Sequence, residues 1–280
     1  MTAPFPFLRR YGVRMLRGAF AAARYFPPQV GALLAEATQN FSVHVPVAGR
    51  TLTIVTPNML CYRRAETLYT KEPETIRWME TFTEGEILWD IGANIGLYSL
   101  YAGARGVRVR AFEPDALNYA LLNRNIAMNR LDGSVLAYAI AIHDRDDVST
   151  LNIALHQWGG ALSSFGHART YDGASSFTPE FRQGAFGYSV DTLAAQFREL
   201  PNHLKVDVDG NESLVLAGAA RTLQEPTVRS LLIELDEERP DYPQCLDRIA
   251  AHGFSLREKT HATIFDTGPF ARTFNHVFTR

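Results

Sequence analysis

The chain has 280 residues, 46% hydrophobic and 21% charged, with a formal net charge of −2, which suits one large domain or one domain with an extension. The near-balanced charge supplies no basic excess for nucleic acid and no acidic tail, and no apolar run reaches the ~20 residues of a membrane span. The two cysteines, Cys61 and Cys245, lie far apart without a CxxC partner, which argues against a disulfide framework or zinc knuckle and suits a reducing cytoplasm.

Arg9, Arg10, Arg14, Arg17 and Arg24 occur before the first acid, Glu36. On a helical wheel Arg10, Arg14, Arg17 and Arg24 share one side, while Leu8, Tyr11, Met15, Ala19, Ala22 and Phe26 share the other. Residues 1–26 therefore read either as a helix lying on an anionic membrane surface or as a terminal helix with a solvated basic face. Pro27-Pro28 ends it, and a helical patch over 30–37 follows. "FSVHVPVAGRTLTIVTP" alternates around Ala48-Gly49-Arg50 and predicts a β-hairpin. "EPETIRWMETF" predicts a helix with Pro73 in its first turn. Residues 1–85 form a flank or lid in this reading.

From residue 87 strands and helices alternate. "ILWD" is a strand and 97–104 a helix; "VRVRAFEP" is a strand and 115–130 a helix; "VLAYAIAI" is a strand. After an interruption over 151–190 come the strand "HLKVDVDG", a helix over 212–223, the strand "VRSLLIEL", a helix over 241–252, and the closing strands "GFSLRE" and "FNHVFTR". Such alternation predicts an α/β fold with a mostly parallel, Rossmann-like sheet and helices on both faces. Ligands in such sheets sit beyond the carboxyl ends of the strands. Asp90, Glu113, Asp207 and Glu234 fall there.

The first of these strands ends in "DIGANIG". Gly92 and Gly96 permit a tight turn and close approach of backbone to ligand. Asn94 stands where a dinucleotide site has its middle glycine, so a diphosphate is disfavoured and a ligand without phosphates is favoured. Asp90 would face a cation such as an amino group or sulfonium, and Asn94 would offer its amide to the ligand. Glu113 ends the next strand, where an acid accepts hydrogen bonds from two ribose hydroxyls. Acid, glycine turn and second acid together suit S-adenosyl-L-methionine.

"DIGANIGLYSL", "AFEPDALNYALLNRNIAMN", "AIAIHD" and "LKVDVDGNESLVLAGAARTL" resemble successive motifs of the FkbM-type SAM-dependent methyltransferases, and "TKEPETIRWM" is similar to a segment of one branch. The resemblance covers roughly residues 85–240. It implies a class I methyltransferase fold over 86–280 and O-methylation of sugars or hydroxylated natural products. By that resemblance the cofactor-binding set is Asp90, Gly92, Ala93, Asn94, Gly96, Glu113, Pro114 and Ala141. The family's K-x-D-V-E-G-x-E motif falls on Lys205, Asp207, Val208, Asp209, Gly210 and Glu212, with Asp209 in place of the usual Glu.

Methyl transfer to a hydroxyl requires positioning and a base or a metal. Strand alternation puts Lys205, Asp207 and Asp209 on one side, so they are the candidate catalytic residues, against a reading in which they neutralise each other and cap the next helix. Mg²⁺ held by Asp207, Asp209 and Glu234 is an alternative that the spacing does not favour. The Gly-, Ser- and aromatic-rich stretch 151–190 is the candidate acceptor side. Trp158 would stack on a sugar face, and Ser163 and Ser164 would bond hydroxyls. His156 and His167 are further candidate bases or plain polar loop residues. Residues 62–71 would form the opposing wall, and Trp78 and Trp89 belong to the core. The expected partner is a small-molecule or glycan acceptor, with no nucleic acid, in a cytoplasmic protein that touches a membrane only if residues 1–26 do. Two other readings stand beside this one: a non-catalytic SAM-binding scaffold and an NAD-dependent oxidoreductase.

Overall fold

A computed structural model describes residues 27–38, 41–173 and 175–280; the arginine-rich stretch 1–26 lies outside them. Helix α1 (Pro28–Thr38) belongs to a first unit spanning 1–41, and residues 42–280 form a second compact unit. None of the helices among the described residues is long and apolar enough to cross a membrane.

The second unit opens with the hairpin β1 (Ser42–Val47) and β2 (Arg50–Val55). Ala48 and Gly49 both have positive φ, 47° and 77°, and this turn twist matches that of the flanking strands. Helix α2 (Met59–Glu66) starts where the Asn58 side chain accepts a hydrogen bond from the Cys61 amide at 2.8 Å. Helix α3 (Pro73–Glu80) has Pro73 in its first turn, where a missing N–H costs nothing. Val45, Leu52, Cys61, Ile76 and Met79 join the same buried cluster as Leu88 and Leu100.

The sheet strands are β3 (Ile87–Ile91), β4 (Arg108–Phe112), β5 (Val135–Tyr138), β10 (His203–Val206), β11 (Ser230–Asp236), β12 (Ser255–Thr260) and β13 (Thr273–Thr279). Their spatial order is β12-β13-β11-β10-β3-β4-β5. All run parallel except β13, which pairs antiparallel with both neighbours. Helices α4 (Leu97–Ala104) and α5 (Ala116–Met128) contribute to one buried cluster. Helices α6 (Val190–Phe197), α7 (Glu212–Ala217) and α8 (Tyr242–Ala251) contribute to the other. Leu88 falls in the first cluster and Trp89 and Ile91 in the second, as a period of two requires.

The fold class is the one the alternation predicts. Three local expectations are corrected. "VLAYAIAI" is not one strand: β5 stops at Tyr138, and β6 (Ala141–Ile142) enters a second sheet. Stretch 151–190 is not a plain loop. β7 (Asp147–Ile153), β8 (Ser164–Phe165) and β9 (Phe181–Tyr188) build that four-stranded sheet, in the order β6-β9-β7-β8. The helix after Gly210 ends at Ala217, and a single 3₁₀ turn over Thr222–Gln224 follows. Gly218 packs so closely that a Cβ there would fall 2.2 Å from the His143 carbonyl oxygen.

Candidate functional site

Beyond the carboxyl ends of β3, β4, β10 and β11 lies a cavity of ≈ 940 Å³, within the range of small-molecule sites. It is lined by Gly92, Asn94, Glu113, Pro114, Ala141, Ser163, Asp207 and Asp209, among others. Ala93 borders a smaller recess beside it, and Gly96 turns the chain into α4 with φ 88°.

Gly92 has φ 82°, and a Cβ built there would lie 1.7 Å from the Asp207 carbonyl oxygen. The turn after β3 thus passes against the end of β10 with bare backbone, as no side chain fits between. Asn94 is left-handed too, at φ 51°. Its amide is not turned to a ligand: Nδ2 donates to the Gly160 carbonyl at 2.7 Å, and Oδ1 accepts from the Ile95 amide at 3.0 Å. Asn118 Nδ2 also donates to that carbonyl at 3.0 Å, and Asn118 Oδ1 accepts from the Gly159 amide at 2.8 Å. Asn58 holds the Trp158 carbonyl at 2.8 Å, and Arg64 holds that of Gly159 at 3.0 Å. The segment 158–160 is therefore strapped to α2, to the glycine turn and to α5.

Glu113 is placed by backbone donors. Oε2 accepts from the Asn94 amide at 2.8 Å and Oε1 from the Asp115 amide at 2.9 Å. Each oxygen keeps further acceptor capacity. Burial pushes Glu113 up to about 8 against these hydrogen bonds.

Asp90 does not reach the cavity. Its side chain is 1% exposed and lies across the sheet from Lys205, the register partner on β10. Oδ2 accepts from Ser99 Oγ at 2.6 Å, while Oδ1 has no hydrogen bond and lies 4.0 Å from Lys205 Nζ. The expectation that Asp90 faces the ligand is corrected: it anchors α4 and the buried ammonium. Burial holds its carboxyl above the usual range, opposed by Lys205. Lys205 is 2% exposed, donates to Asp207 Oδ2 at 2.9 Å, and sits 5.2 Å from the centre of the Tyr98 ring. Burial opposes its charge, but Asp207, Asp90 and Glu72 outweigh burial and raise its pKa.

Asp209 adopts φ 53°, and its Oδ2 accepts from the Leu162 amide at 2.6 Å. Burial, with the Asp207 charge nearby, pushes it up to about 6. Glu234, at the end of β11, lines the cavity and is raised well above the carboxylate range, first by burial and then by Asp207. Glu212 bonds back to the amides of Val208 and Gly210 at 3.2 and 3.0 Å, which secures the turn after β10.

Other sequence candidates lie elsewhere. The Trp158 ring packs against the main buried cluster rather than lining the cavity. Ser164 is 3% exposed inside β8. His156 stacks on Phe181 at 4.6 Å, and neither it nor exposed His167 lines the cavity. The sequence reading gave no specific role to several residues that do line it. Lys71 and Glu72 pair at 2.6 Å, and Tyr98, which borders the smaller recess, donates to Glu72 at 2.8 Å. Although burial opposes it, Lys71 and Lys205 hold the Glu72 carboxyl down at about 2. Phe265, Phe270, Thr273 and Asn275, from the segment joining β12 to β13 and from β13 itself, complete the wall. Only a faint signal preceded them, the aromatic residues around "TGPF". Among the described residues no group of three or more His, Cys, Asp or Glu is arranged to hold a metal.

A mostly parallel sheet with an antiparallel seventh strand, a glycine turn after β3 and an acid after β4 is a class I methyltransferase architecture. A family model described as "Methyltransferase FkbM domain" matches residues 90–256. The chain belongs to this family, and by class it is a SAM-dependent methyltransferase. It is 24% identical over 196 residues to 31-O-demethyl-FK506 methyltransferase FkbM of Streptomyces tacrolimicus, a match covering 61% of this chain and 74% of that protein. It is 28% identical over 166 residues to hexuronic acid methyltransferase AglP of Haloferax volcanii, covering 59% of this chain and 62% of that one. Among solved structures, fibrillarin of Aeropyrum pernix with bound S-adenosyl-L-methionine aligns over 86% of this chain and 84% of its own, at TM-score 0.46 and 11% identity.

The residues present fit S-adenosylmethionine. Glu113 offers two oriented oxygens for ribose hydroxyls, Pro114, Ala141 and Ile142 give an apolar wall for a base, and Gly92 leaves bare backbone. A pH dependence follows. A carboxylate accepting two hydroxyl protons must be ionised, and burial has pushed Glu113 up to about 8. Below that pH binding must expel a proton. SAM affinity is expected to rise roughly tenfold per pH unit towards pH 8 and then level off. Calorimetry in buffers of different ionisation enthalpy should show nearly one proton released at pH 7. A flat affinity between pH 6 and 8 would show that Glu113 is already ionised or uninvolved.

Proposed function

We propose that this protein transfers a methyl group from S-adenosylmethionine to a hydroxyl of a sugar, glycoconjugate or hydroxylated natural product, with Asp207 as general base. The observation that carries this reading is the position of Asp207. Its backbone touches the glycine turn, the residue lines the cavity that Glu113 also lines, its side chain is 29% exposed, and Lys205 fixes one carboxylate oxygen at 2.9 Å.

When bound, the donor supplies a methyl group on a sulfonium sulfur, and transfer is an in-line displacement. The chain's part is to hold the acceptor oxygen on that line and to take its proton. Lys205 holds Oδ2 of Asp207, leaving Oδ1 for the hydroxyl proton. Asp209, bonded to the Leu162 amide, ties the 158–162 segment to the end of β10. The reading needs no Mg²⁺: at Asp207 a divalent cation would compete with an ammonium already at bonding distance.

Phe265 and Phe270, with ring centres 6.2 Å apart, give the acceptor side an apolar face. Thr273, Asn275 and Ser163 add hydrogen-bonding groups. A ring with one apolar face and hydroxyls on its edge suits such a wall. The names of the two relatives, one a 31-O-demethyl-FK506 methyltransferase and one a hexuronic acid methyltransferase, support a hydroxylated acceptor.

The test is turnover of methyl-labelled SAM with a panel of hexosides, uronic acid glycosides and polyhydroxylated macrolides. The expected result is S-adenosylhomocysteine formation coupled to an O-methyl product. Methyl recovered on nitrogen or carbon would overturn the acceptor class. SAM binding without turnover across the panel would favour a non-catalytic scaffold.

A further inference from the structure

The proposed donor ends in an α-amino acid and brings a carboxylate into a cavity that already carries Glu72, Asp207 and Asp209. That carboxylate needs a cation. The recess of ≈ 50 Å³ beside the main cavity shares Gly92, Asn94 and Asp207 with it, so it lies next to the glycine turn. Three cations line the recess: Arg64, Lys71 and Lys205. Lys71 is matched by Glu72 at 2.6 Å, and Lys205 by Asp207 at 2.9 Å. Among the described residues Arg64 makes no ion pair.

Arg64 is also held in place. Leu60 and Arg64 on α2 and Thr67 at its C-cap follow at helical spacing and line the cavity. Arg64 Nε donates to the Gly159 carbonyl at 3.0 Å, and the Gly159 amide is fixed by Asn118. This bond sets the plane of the guanidinium and leaves its two Nη groups for a planar anion, the bidentate geometry that arginine offers a carboxylate.

We propose that Arg64 binds the carboxylate of the donor's amino-acid end in this recess. The assignment rests on the methyl-donor reading above and makes α2, which precedes the methyltransferase core in the chain, part of the cofactor site. A residue that merely counters the C-terminal dipole of α2 would be indifferent to what the ligand carries.

The experiment is calorimetric binding of SAM and of decarboxylated SAM, which keeps the adenosine, sulfonium and amine, to the full chain and its variants. Wild type is expected to bind SAM more tightly than the decarboxylated compound. Arg64→Gln, which keeps a donor for the Gly159 carbonyl but no charge, should weaken SAM roughly tenfold or more and leave the decarboxylated ligand within about twofold. Arg64→Lys should recover part of the loss, and Arg63→Ala, whose residue lines the main cavity but not the recess, should leave the ratio of the two affinities unchanged. Equal weakening of both ligands by Arg64→Gln, or weakening of neither, would overturn the assignment while leaving the donor reading in place. Wild-type protein that bound neither ligand would overturn the donor reading and this assignment with it.

Discussion

Replacing Lys205 with methionine is expected to destabilise the protein by about 3–5 kcal/mol, the usual cost of removing one partner from a buried ion pair. The cost arises from what stays behind. Asp90, 1% exposed, would keep the Ser99 hydroxyl as its hydrogen-bond donor and lose the one cation near it among the described residues. Glu72 would lose one of the charges that hold its carboxyl down, and Asp207 would lose its hydrogen-bond donor. Adding Asp90→Asn should recover part of the loss, giving a coupling of at least ~1 kcal/mol in a double-mutant cycle. The pH dependence follows from the signs. Asp90 already has a raised folded-state pKa, first by burial, and without Lys205 it rises further. An acid raised on folding contributes stability that is complete below its unfolded value of about 3.9 and is lost as pH rises through the folded value. Lys205, also raised on folding, contributes stability that is present below about 10.4 and lost above it. The deficit of Lys205→Met should therefore be largest at neutral pH and shrink towards pH 4. Urea unfolding at pH 4.5 and pH 7.5 measures it, and a deficit that grows on acidification would contradict this account.

The Lys205–Asp90 pair also marks where one sequence stops being informative. A period of two put Lys205 and Asp207 on one side of a strand, and they do bond. That Lys205 also stands opposite Asp90 depends on β10 lying beside β3, 115 residues away in the chain, and strand order is a tertiary property. The glycine turn was legible because its constraint is local: backbone must pass where no Cβ fits, and φ must be positive. The same holds for helix 97–104, which follows directly from that turn. The second sheet was hidden because its strands are far apart: β7 and β9 pair over seven residues but are separated by a Gly- and Ser-rich connection that reads as loop. Trp158 misled for a related reason. An indole in a glycine-rich segment is equally consistent with a ligand platform and with a loop pinned to the core, and the bonds from Asn58, Asn94, Asn118 and Arg64 to residues 158–160 decide for the latter. Phe265 and Phe270 lie between the last two strands, outside every motif, and only the chain's closure over the strand ends brings them to the cavity.

Asp207→Asn is expected to lower kcat by about 10²–10⁴, the range for loss of a positioned general base, with SAM affinity changed only a few-fold. The substitution keeps the shape and can still accept a hydrogen bond from Lys205, so the geometry of β10 against the glycine turn survives. What disappears is the group that takes the hydroxyl proton. Asp209→Asn separates this role from that of its neighbour. The Asp209 side chain holds the Leu162 amide, and an asparagine oxygen can hold it too, so kcat should fall by roughly tenfold or less. Glu234→Gln should be milder still, because burial and the Asp207 charge push the Glu234 carboxyl well above the carboxylate range, and glutamine is its uncharged isostere. Single-turnover rates at saturating SAM, with the folded fraction checked by unfolding, compare the three on equal terms. If Asp209→Asn caused the large loss while Asp207→Asn kept most of the rate, the base would be Asp209, whose value of about 6 also suits proton abstraction near neutral pH, and Asp207 would be the residue that orients Lys205.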